Sequence, residues 1–580
     1  MRRFPHHGRV QRTCGICSTA FDVTAADLAF LDKLSPAFGG KKEALPPPTL
    51  CPGCRQQRRL LWRNERRLCR RTCGLCGKPV ISMYAKDKPF PVHCTECWWG
   101  DRWDPLSFGR AFDFSRPFFP QFRALQEQVP RLALNVVGNE NSEYVNLGGY
   151  NKNCYLVFAM EYNEDCLYGT ELVKSVGCVD TFNCFESQYC YEATDVEKCH
   201  RLFFSRDCSG CADGLFLSDC RNCNDCMFCA NLRGKRYCVR NKQRTREEYG
   251  REKAAVEERI ATGGLPQLLA ECAAFERARP HRAASVVNSE NVTGDYLKNS
   301  RNLHRCFDVS YGEDCAYVYT GFKVKDLLDV CHTTEGELSY EALSLGYGSY
   351  GVAFTHGSWT SKNILYCDIA QSSQDCFGCV GLKRNRHCIL NRQYAKEEYE
   401  KLVPRIIEHM RKTPLRSPDG SFAGQEWGEF FPAECAPFAY NETTALQYFP
   451  LRREEALARG FAWQEERDEV SGVSRVIPAS QLPDSIDDIS DDIVNWAIEC
   501  EATKRPFKII KQELEFYRKM RLPVPRFHPD ERHRRRIALR NPRKLWKRNC
   551  GKCGKEMETT YAPDRPEKVY CEECYLKEVY

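Results

Sequence analysis

The sequence predicts a multi-domain, β-rich fold with short helices, in which small cysteine-built modules at both ends flank a duplicated central β-solenoid. Three observations carry that expectation. The 580 residues include 36 cysteines, many of them in C-x2-C pairs near the two ends. The segment 73–97 returns at 550–574, and the segment 224–249 returns at 374–399. Between those ends, cysteines recur at steps of 9 or 12 residues through a centre punctuated by Asn, Asp and Gly.

A chain of this length exceeds one hydrophobic core, so several domains are expected. Cysteine at this abundance means either a disulfide scaffold or metal binding. The opening MRRFPHHGRV offers no apolar signal-peptide core, and no run of about 18 apolar residues follows that could span a membrane. Reduced thiols in a cytoplasmic protein are therefore expected, with no membrane partner. Charge is uneven. Residues 1–105 carry 19 Lys/Arg against 9 Asp/Glu and residues 521–580 carry 16 against 9, which leaves 50 against 60 in between. Basic ends around an acidic centre direct any polyanionic partner to the ends.

The repeats set the domain plan. At a constant offset of 477, Cys73, Cys76, Tyr84, Asp87, Cys94 and Cys97 fall on Cys550, Cys553, Tyr561, Asp564, Cys571 and Cys574. Upstream, Arg55, Arg59, Arg63 and Asn64 fall on Arg532, Arg536, Arg540 and Asn541, and FDVTAADLAF (21–30) resembles FKIIKQELEF (507–516). The C-terminus thus reads as a second copy of the N-terminal module. In the centre, Cys226, Cys229, Cys238 and Asn241 fall on Cys376, Cys379, Cys388 and Asn391 at an offset of 150, whereas NEDCLY and GEDCAY upstream pair one residue out of phase. The expected boundaries are a two-site module over 1–105, an aromatic connector over 106–135 with a helix near 119–129, and solenoid halves over 136–260 and 285–412. Closing helices are expected at 244–260 and 394–411, then a linker over 413–495 with the acidic stretch DSIDDISDD (484–492), and the second module over 496–580. Cys154, Cys166, Cys178 and Cys190 are 12 apart and turn formers such as Asn153, Asp165 and Gly177 precede them, as in stacked short strands with small inward residues; an irregular antiparallel β-domain is the alternative.

Two C-x2-C knuckles supply the four tetrahedral thiolates that zinc prefers. Cys73, Cys76, Cys94 and Cys97 form one such set, Cys550, Cys553, Cys571 and Cys574 repeat it, and Cys14, Cys17, Cys51 and Cys54 form a third with a longer interval. Three structural zinc ions are expected, in zinc-ribbon or treble-clef-like modules. A fourth site at Ala497, Cys500, His528 and Glu531 has lost ligands, and loss of zinc is the preferred reading there. Cys220, Cys223, Cys226 and Cys229 stand at a spacing seen in iron–sulfur runs, yet the second half reads Ala370, Ser373, Cys376 and Cys379. Metal binding and solenoid packing both stay open for them. Cys69 lacks a partner by spacing and reads as a packed thiol. Trp98, Trp99 and Trp103 read as a core seal.

Residues 55–71 hold eight arginines around Trp62. Read as a helix, they place Arg55, Arg59, Arg63, Arg66 and Arg70 on one face. Arginine forks suit phosphates and an interleaved aromatic can stack on a base, so Arg55, Arg58, Arg59, Trp62, Arg63, Arg66, Arg67, Arg70 and Arg71, with Arg532, Arg535, Arg536, Arg540 and Arg543 in the second copy, are candidate contacts to RNA or DNA. The competing reading is that these arginines compensate the charge of a thiolate-bound zinc or clamp the acidic centre.

The stretches PPPTLCPGCRQQRRLLWRNERRL (46–68), CWWGDRWDPLSFGRAFDFSRPFF (97–119), LRGKRYCVRN, LKRNRHCILN and the closing CEECY are similar to a cysteine-rich zinc-ribbon protein family of candidate-phyla bacteria. Members are sometimes labelled CaiB/BaiF family proteins, a name that implies CoA transfer. The sequence shows neither the single large α/β fold of such enzymes nor an aspartate suited to be their nucleophile. The chain departs from the family pattern at Ala497.

Function is expected to be non-enzymatic nucleic-acid binding, with a protein-interaction scaffold built on the solenoid as the alternative. An enzyme acting from the solenoid face is the third reading. Glu164, Asp165, Glu313 and Asp314 recur in both halves, but at turn positions and with no paired nucleophile and base.

Overall fold

The computed structural model describes residues 10–417, 419–420, 422–465 and 472–580. The first nine residues, read above for a signal peptide, and residues 466–471 of the expected linker lie outside the described residues.

A backbone rhythm of three organises the centre. From Leu147 to Arg240, every third residue has a positive φ, including Asn153, Asp165, Asp207 and Asp219, with glycine at 177, 210 and 234. Asn, Asp and Gly tolerate this left-handed region best, which is why they punctuate the sequence. Their side chains also reward the conformation by laddering: Asn141 donates to Asn153, and Asn153 to Asp165, at 2.9 and 3.0 Å. Asp165 and Asp314, singled out above as recurrent acids, are such turn residues.

Four triplets return the chain to the same position, so strands pair in parallel at a step of twelve. Thr170 faces Phe182, Phe182 faces Thr194, and Thr194 faces Arg206. The result is two twelve-stranded sheets, one running from Val136–Val137 to Lys242–Gln243 and one from Val286–Val287 to Arg392–Gln393. All the pairings are parallel except the closing hairpin of each sheet. The second sheet slips at two places. Its register shifts between Val292 and Gly294, and Tyr347 and Gly348 are both left-handed where one residue would suffice. These slips account for the one-residue phase change between the two copies, an offset of 149 between them and 150 outside.

The residue after each left-handed position points inward. Cys154, Cys166, Cys178 and Cys190 are at most 2% exposed. Each donates its S–H to the carbonyl two residues earlier, at 3.4–3.6 Å. Ser175, Ser187 and Ser205 make the same bond at other inward positions. The interior therefore selects side chains that are small and carry one donor for the second lone pair of a carbonyl that already accepts a backbone N–H, as Glu164 does from Gly177. Cys220, Cys223, Cys226 and Cys229 follow the same rule, with bonds to Ser218, Arg221, Asn224 and Met227. Among the described residues they form no metal-holding group.

Each sheet closes on a helix, Arg246–Ala261 with a Thr245–Glu248 capping box and Lys396–Lys412. Both lie within two residues of the expected spans, as does the start of the connector helix, Phe118–Gln126. The expected linker is different. Trp427, Phe430, Phe431 and Tyr440 are buried in the same core as Trp62 and Phe122, and the Glu426 carboxylate accepts from the first two N–H groups of the Phe118–Gln126 helix. Within 484–492 the acids stay outward while Ile486 and Ile489 are buried. Periodicity of one apolar residue in three or four was present there, hidden by the acids around it.

A thiol-lined interior this tight predicts an asymmetric response. Cys166→Ser keeps the bond to Glu164 and should cost about 1 kcal/mol or less, whereas Cys166→Leu overpacks the interior and should cost about 1–3 kcal/mol. Denaturant midpoints of the two variants check the order.

Candidate metal centres and the arginine clamps

Three groups of four cysteines bring their sulfurs within 4.8 Å of one another: Cys14/Cys17/Cys51/Cys54, Cys73/Cys76/Cys94/Cys97 and Cys550/Cys553/Cys571/Cys574. One local plan builds all three. A strand ends in a C-x2-C knuckle, the chain returns antiparallel, and the second pair opens a helix. The helices are Pro52–Leu60, Thr95–Trp99 and Glu572–Val579, preceded by Cys51, Cys94 and Cys571 at the N-cap. Helix N-termini favour thiolate there. In each knuckle the first cysteine's N–H reaches the carbonyl five residues on, at 2.8–3.0 Å, to Thr19, Lys78 and Lys555.

The geometry fits a four-thiolate ion. Metal–sulfur bonds of about 2.3 Å in a tetrahedron set the sulfurs about 3.8 Å apart. Cys17 and Cys51 stand at 3.6 Å, Cys76 and Cys94 at 3.9 Å, and Cys553 and Cys571 at 3.8 Å. Backbone N–H groups point at the sulfurs, from Cys94 to Cys73 and from Cys571 to Cys550, both at 3.3 Å, and Arg102 reaches Cys97 at 3.0 Å. Burial raises the Cys73 thiol, but the N–H groups of Cys94, Cys76 and Leu75 outweigh it and hold the thiol at about 6. Cys550 sits at about 6 for the same reasons. Burial and hydrogen bonding to neighbouring sulfurs push Cys97 and Cys574 up to about 12. Without a central cation the four sulfurs cannot all ionise; a cation removes that conflict.

The fourth frame survives without its ligands. Cys500 donates its N–H to Arg505, five residues on, and Lys504 is left-handed like Ser18. Cys500 is therefore the counterpart of Cys14, and the lost second cysteine is Thr503. The sequence alignment had put the gap at Ala497. His528 takes the N-cap place of Cys51, and Glu531 is occupied by Arg534 and Arg535. This set is not among the metal-holding groups of the described residues.

The arginines are where the sequence reading changes most. The helix expected over 55–71 ends at Leu60, because Asn64 ties Arg67 and Met83 into a turn and residues 69–72 form a strand. Arg59 and Trp62 are 0% and 1% exposed. Arg55 pairs with Asp329 at 2.7 Å, and Arg59 pairs with Glu341 at 2.7 Å and Asp329 at 3.4 Å. Arg63 donates to Ser344 at 3.0 Å, and Arg58 bridges Glu341 and Glu429. The second copy repeats the set. Arg532 pairs with Asp180, Arg536 with Asp180 and Glu192 at 2.8 and 3.1 Å, and Arg540 with Asp195 at 2.9 Å and with Asp308. Arg543 holds Asp308 and Thr320, both at 2.8 Å, while its counterpart Arg66 holds Thr170 and Asp530.

These partners correspond. Asp180 and Asp329, Glu192 and Glu341, and Asp195 and Ser344 stand at the 149-residue offset. The leading arginines of each end module therefore grip the sheet farther from it in sequence, Arg55 and Arg59 the second sheet and Arg532 and Arg536 the first, while Arg66 reaches Thr170 of the first sheet and Arg540 and Arg543 reach Asp308 of the second. Each module also pairs a short strand with the segment leading into the nearer sheet, Val92–His93 with Arg131–Leu132 and Val569–Tyr570 with His281–Arg282. The molecule is pseudo-two-fold and crossed.

Expected phosphate contacts Arg55, Arg58, Arg59, Arg63, Arg532, Arg536, Arg540 and Arg543 are thus committed to internal carboxylates and hydroxyls, because their side chains are buried between module and sheet. Trp62 stacks on Phe431 instead of facing solvent. Arg66 and Arg67 meet Asp530, and Arg71 bonds the carbonyls of Ala85 and Phe90. Arg70 and Arg535 remain at the surface. Burial opposes the charge of Arg59, but Glu341 and Asp329 hold it well above its ordinary range. Burial pushes Glu192 and Asp195 up to about 7 against the pull of Arg536 and Arg540. Trp98 and Trp103 seal against each other as expected, while Trp99 is exposed, and Cys69 bonds the carbonyl of Tyr84. The acidic partners escaped the sequence reading, although Asp180/Asp329 and Glu192/Glu341 recur at one offset.

Removing one member of a buried pair leaves the other charge stranded, at a typical cost of about 3–5 kcal/mol. Arg59→Ala and Arg536→Ala should each destabilise by that order, whereas the exposed Arg70→Ala should leave stability nearly unchanged, as read from urea unfolding. No protein-family model matches the chain, and a comparison with curated proteins finds no match.

Proposed function

We propose that this protein is a non-enzymatic binding scaffold in which three zinc ions hold the end modules and the modules clamp a β-solenoid spacer. The observation that carries the reading is the duplicated arginine clamp, which spends the basic segments on the chain's own carboxylates. The constant twelve-residue register and the three-residue turn rhythm support a solenoid, with each set of four triplets as one coil. Zinc is the ion that four clustered thiolates select, in closed sites suited to structure rather than catalysis. A reducing, cytoplasmic setting suits a chain whose cysteines are free. Among the described residues, no helix is long and apolar enough to cross a membrane.

Nucleic-acid binding is the second reading. What favours it is the exposed remainder of the basic ends, Arg70, Arg534 and Arg535 among them. Those few side chains could neutralise only a few phosphates, so any such binding would have a shallow salt dependence.

Metal analysis of the purified protein should give three zinc ions per chain, with Cys73→Ser and Cys550→Ser each giving two. Electrophoretic titration of nuclease-treated protein with single- and double-stranded RNA and DNA should give no salt-steep shift. A logarithmic salt slope steeper than about −5, more than Arg70, Arg534 and Arg535 alone can supply, would move the assignment to nucleic acid.

A further inference from the structure

The crossed duplication places two cavities at matching positions, each where an end module meets both sheets. His356, Leu132, Leu147, Asn135 and Asn64 line the first, and their counterparts Arg206, Arg282, Tyr296, Ser285 and Asn541 line the second. The first is about 30 Å³ and is packed with bulky apolar groups, Trp62, Met83 and Trp359. In the second copy those three positions hold Leu539, Thr560 and Ser209, and the cavity grows to about 70 Å³. That is room for several water-sized groups. One copy has been filled, and the other is open and polar.

The polar groups of the open cavity are not all satisfied. Arg206 is spent, with Nε on Glu276 at 2.7 Å and Nη1 on the Leu539 carbonyl at 2.8 Å. Arg282 is spent on Glu572 and the Val286 carbonyl, and Asp219 on Tyr575, Arg221 and Arg233. Asp207 uses Oδ1 for the Tyr296 hydroxyl at 2.9 Å, and among the described residues nothing meets Oδ2. Glu276 likewise takes Arg206 and Ser218 on Oε1 and leaves Oε2 open. Arg279, also in the wall, has no carboxylate partner among the described residues and lies over the Phe275 ring at 4.4 Å. Two open carboxylate oxygens and one open guanidinium therefore face a single small space.

We propose that this cavity binds a small zwitterion carrying both an ammonium and a carboxylate, of the size of glycine or alanine. Asp207 and Glu276 receive the ammonium, and Arg279 receives the carboxylate as a two-toothed fork. The site lies at the seam of the C-terminal module and both sheets, so a bound ligand ties three parts of the scaffold together and raises its stability.

Calorimetric titration and thermal shift of the full-length, metal-loaded protein test this. Glycine and alanine should bind and raise the melting temperature, while methylammonium and acetate, each carrying half of the ligand's charge, should bind at least tenfold more weakly. Asp207→Asn keeps an acceptor for Tyr296, and Arg279→Met keeps the stem over Phe275. Each should weaken glycine at least tenfold while leaving the ligand-free melting temperature and metal content unchanged. Failure of both amino acids to bind the wild-type protein at 10 mM overturns the proposal, whether or not a variant folds. So does acetate or methylammonium binding as well as glycine, or glycine binding undiminished in both variants.

Discussion

Guanidinium groups buried against carboxylates bind this molecule to itself. Arg59 with Asp329 and Glu341, and Arg536 with Asp180 and Glu192, sit in the seam between a cysteine-built module and a parallel sheet. Taking such charges out of water costs several kcal/mol per ion, and only close, multiply bonded pairing offsets it. The gain is specificity of docking more than stability. An apolar seam would tolerate sliding along a repetitive sheet whose strands resemble one another, whereas a fork that must meet two named carboxylates fixes one register. At the N-terminus the Cys14/Cys17/Cys51/Cys54 knuckles act at one remove, since they hold the helix that presents the forks; in the second copy the Pro529–Ile537 helix presents them on a frame without a four-cysteine site.

The interior of the sheets follows from a different constraint. A turn every three residues leaves a narrow core, and the carbonyl two residues before an inward cysteine keeps a lone pair free beside its backbone bond, as at Glu164. Cysteine meets both demands, being compact and apolar with one weak donor. This separates the abundant cysteines into two populations that composition alone merges. One population gathers four sulfurs about a point at the ends, and the other hydrogen-bonds to backbone in the middle, with sulfur contacts along the row such as Cys184 to Cys178 at 3.9 Å. Cys220, Cys223, Cys226 and Cys229, spaced like metal ligands, belong to the second because each bonds a backbone carbonyl and the four form no metal-holding group among the described residues.

Much of this was legible in the sequence. The three cysteine quartets could be read from spacing, because a knuckle is a local structure. The triplet turns could be read from Asn153, Asp165 and Gly177, because left-handed backbone restricts residue choice. The closing helices were legible to within two residues from their charged, uninterrupted runs. What was not legible was non-local. Eight arginines in 17 residues look like a phosphate-binding surface until Asp329 and Glu341, some 280 residues away, are brought against them. The same holds for residues 413–465, where Trp427, Phe430 and Phe431 looked like scattered linker aromatics and form core. The shift of the fourth site from Ala497 to Cys500 was hidden by an insertion, and only the five-residue hydrogen bond of the knuckle reveals it.

Docking is crossed at the leading arginines, Arg59 holding the second sheet and Arg536 the first. Hydrogen–deuterium exchange of Arg59→Ala and Arg536→Ala, read by mass spectrometry at matched metal content, tests it most directly. Arg59→Ala should speed exchange around 325–345 in the second sheet, and Arg536→Ala around 178–196 in the first, each leaving the other sheet protected. Faster exchange confined to the sheet nearer in sequence, or no local change in either, would contradict it.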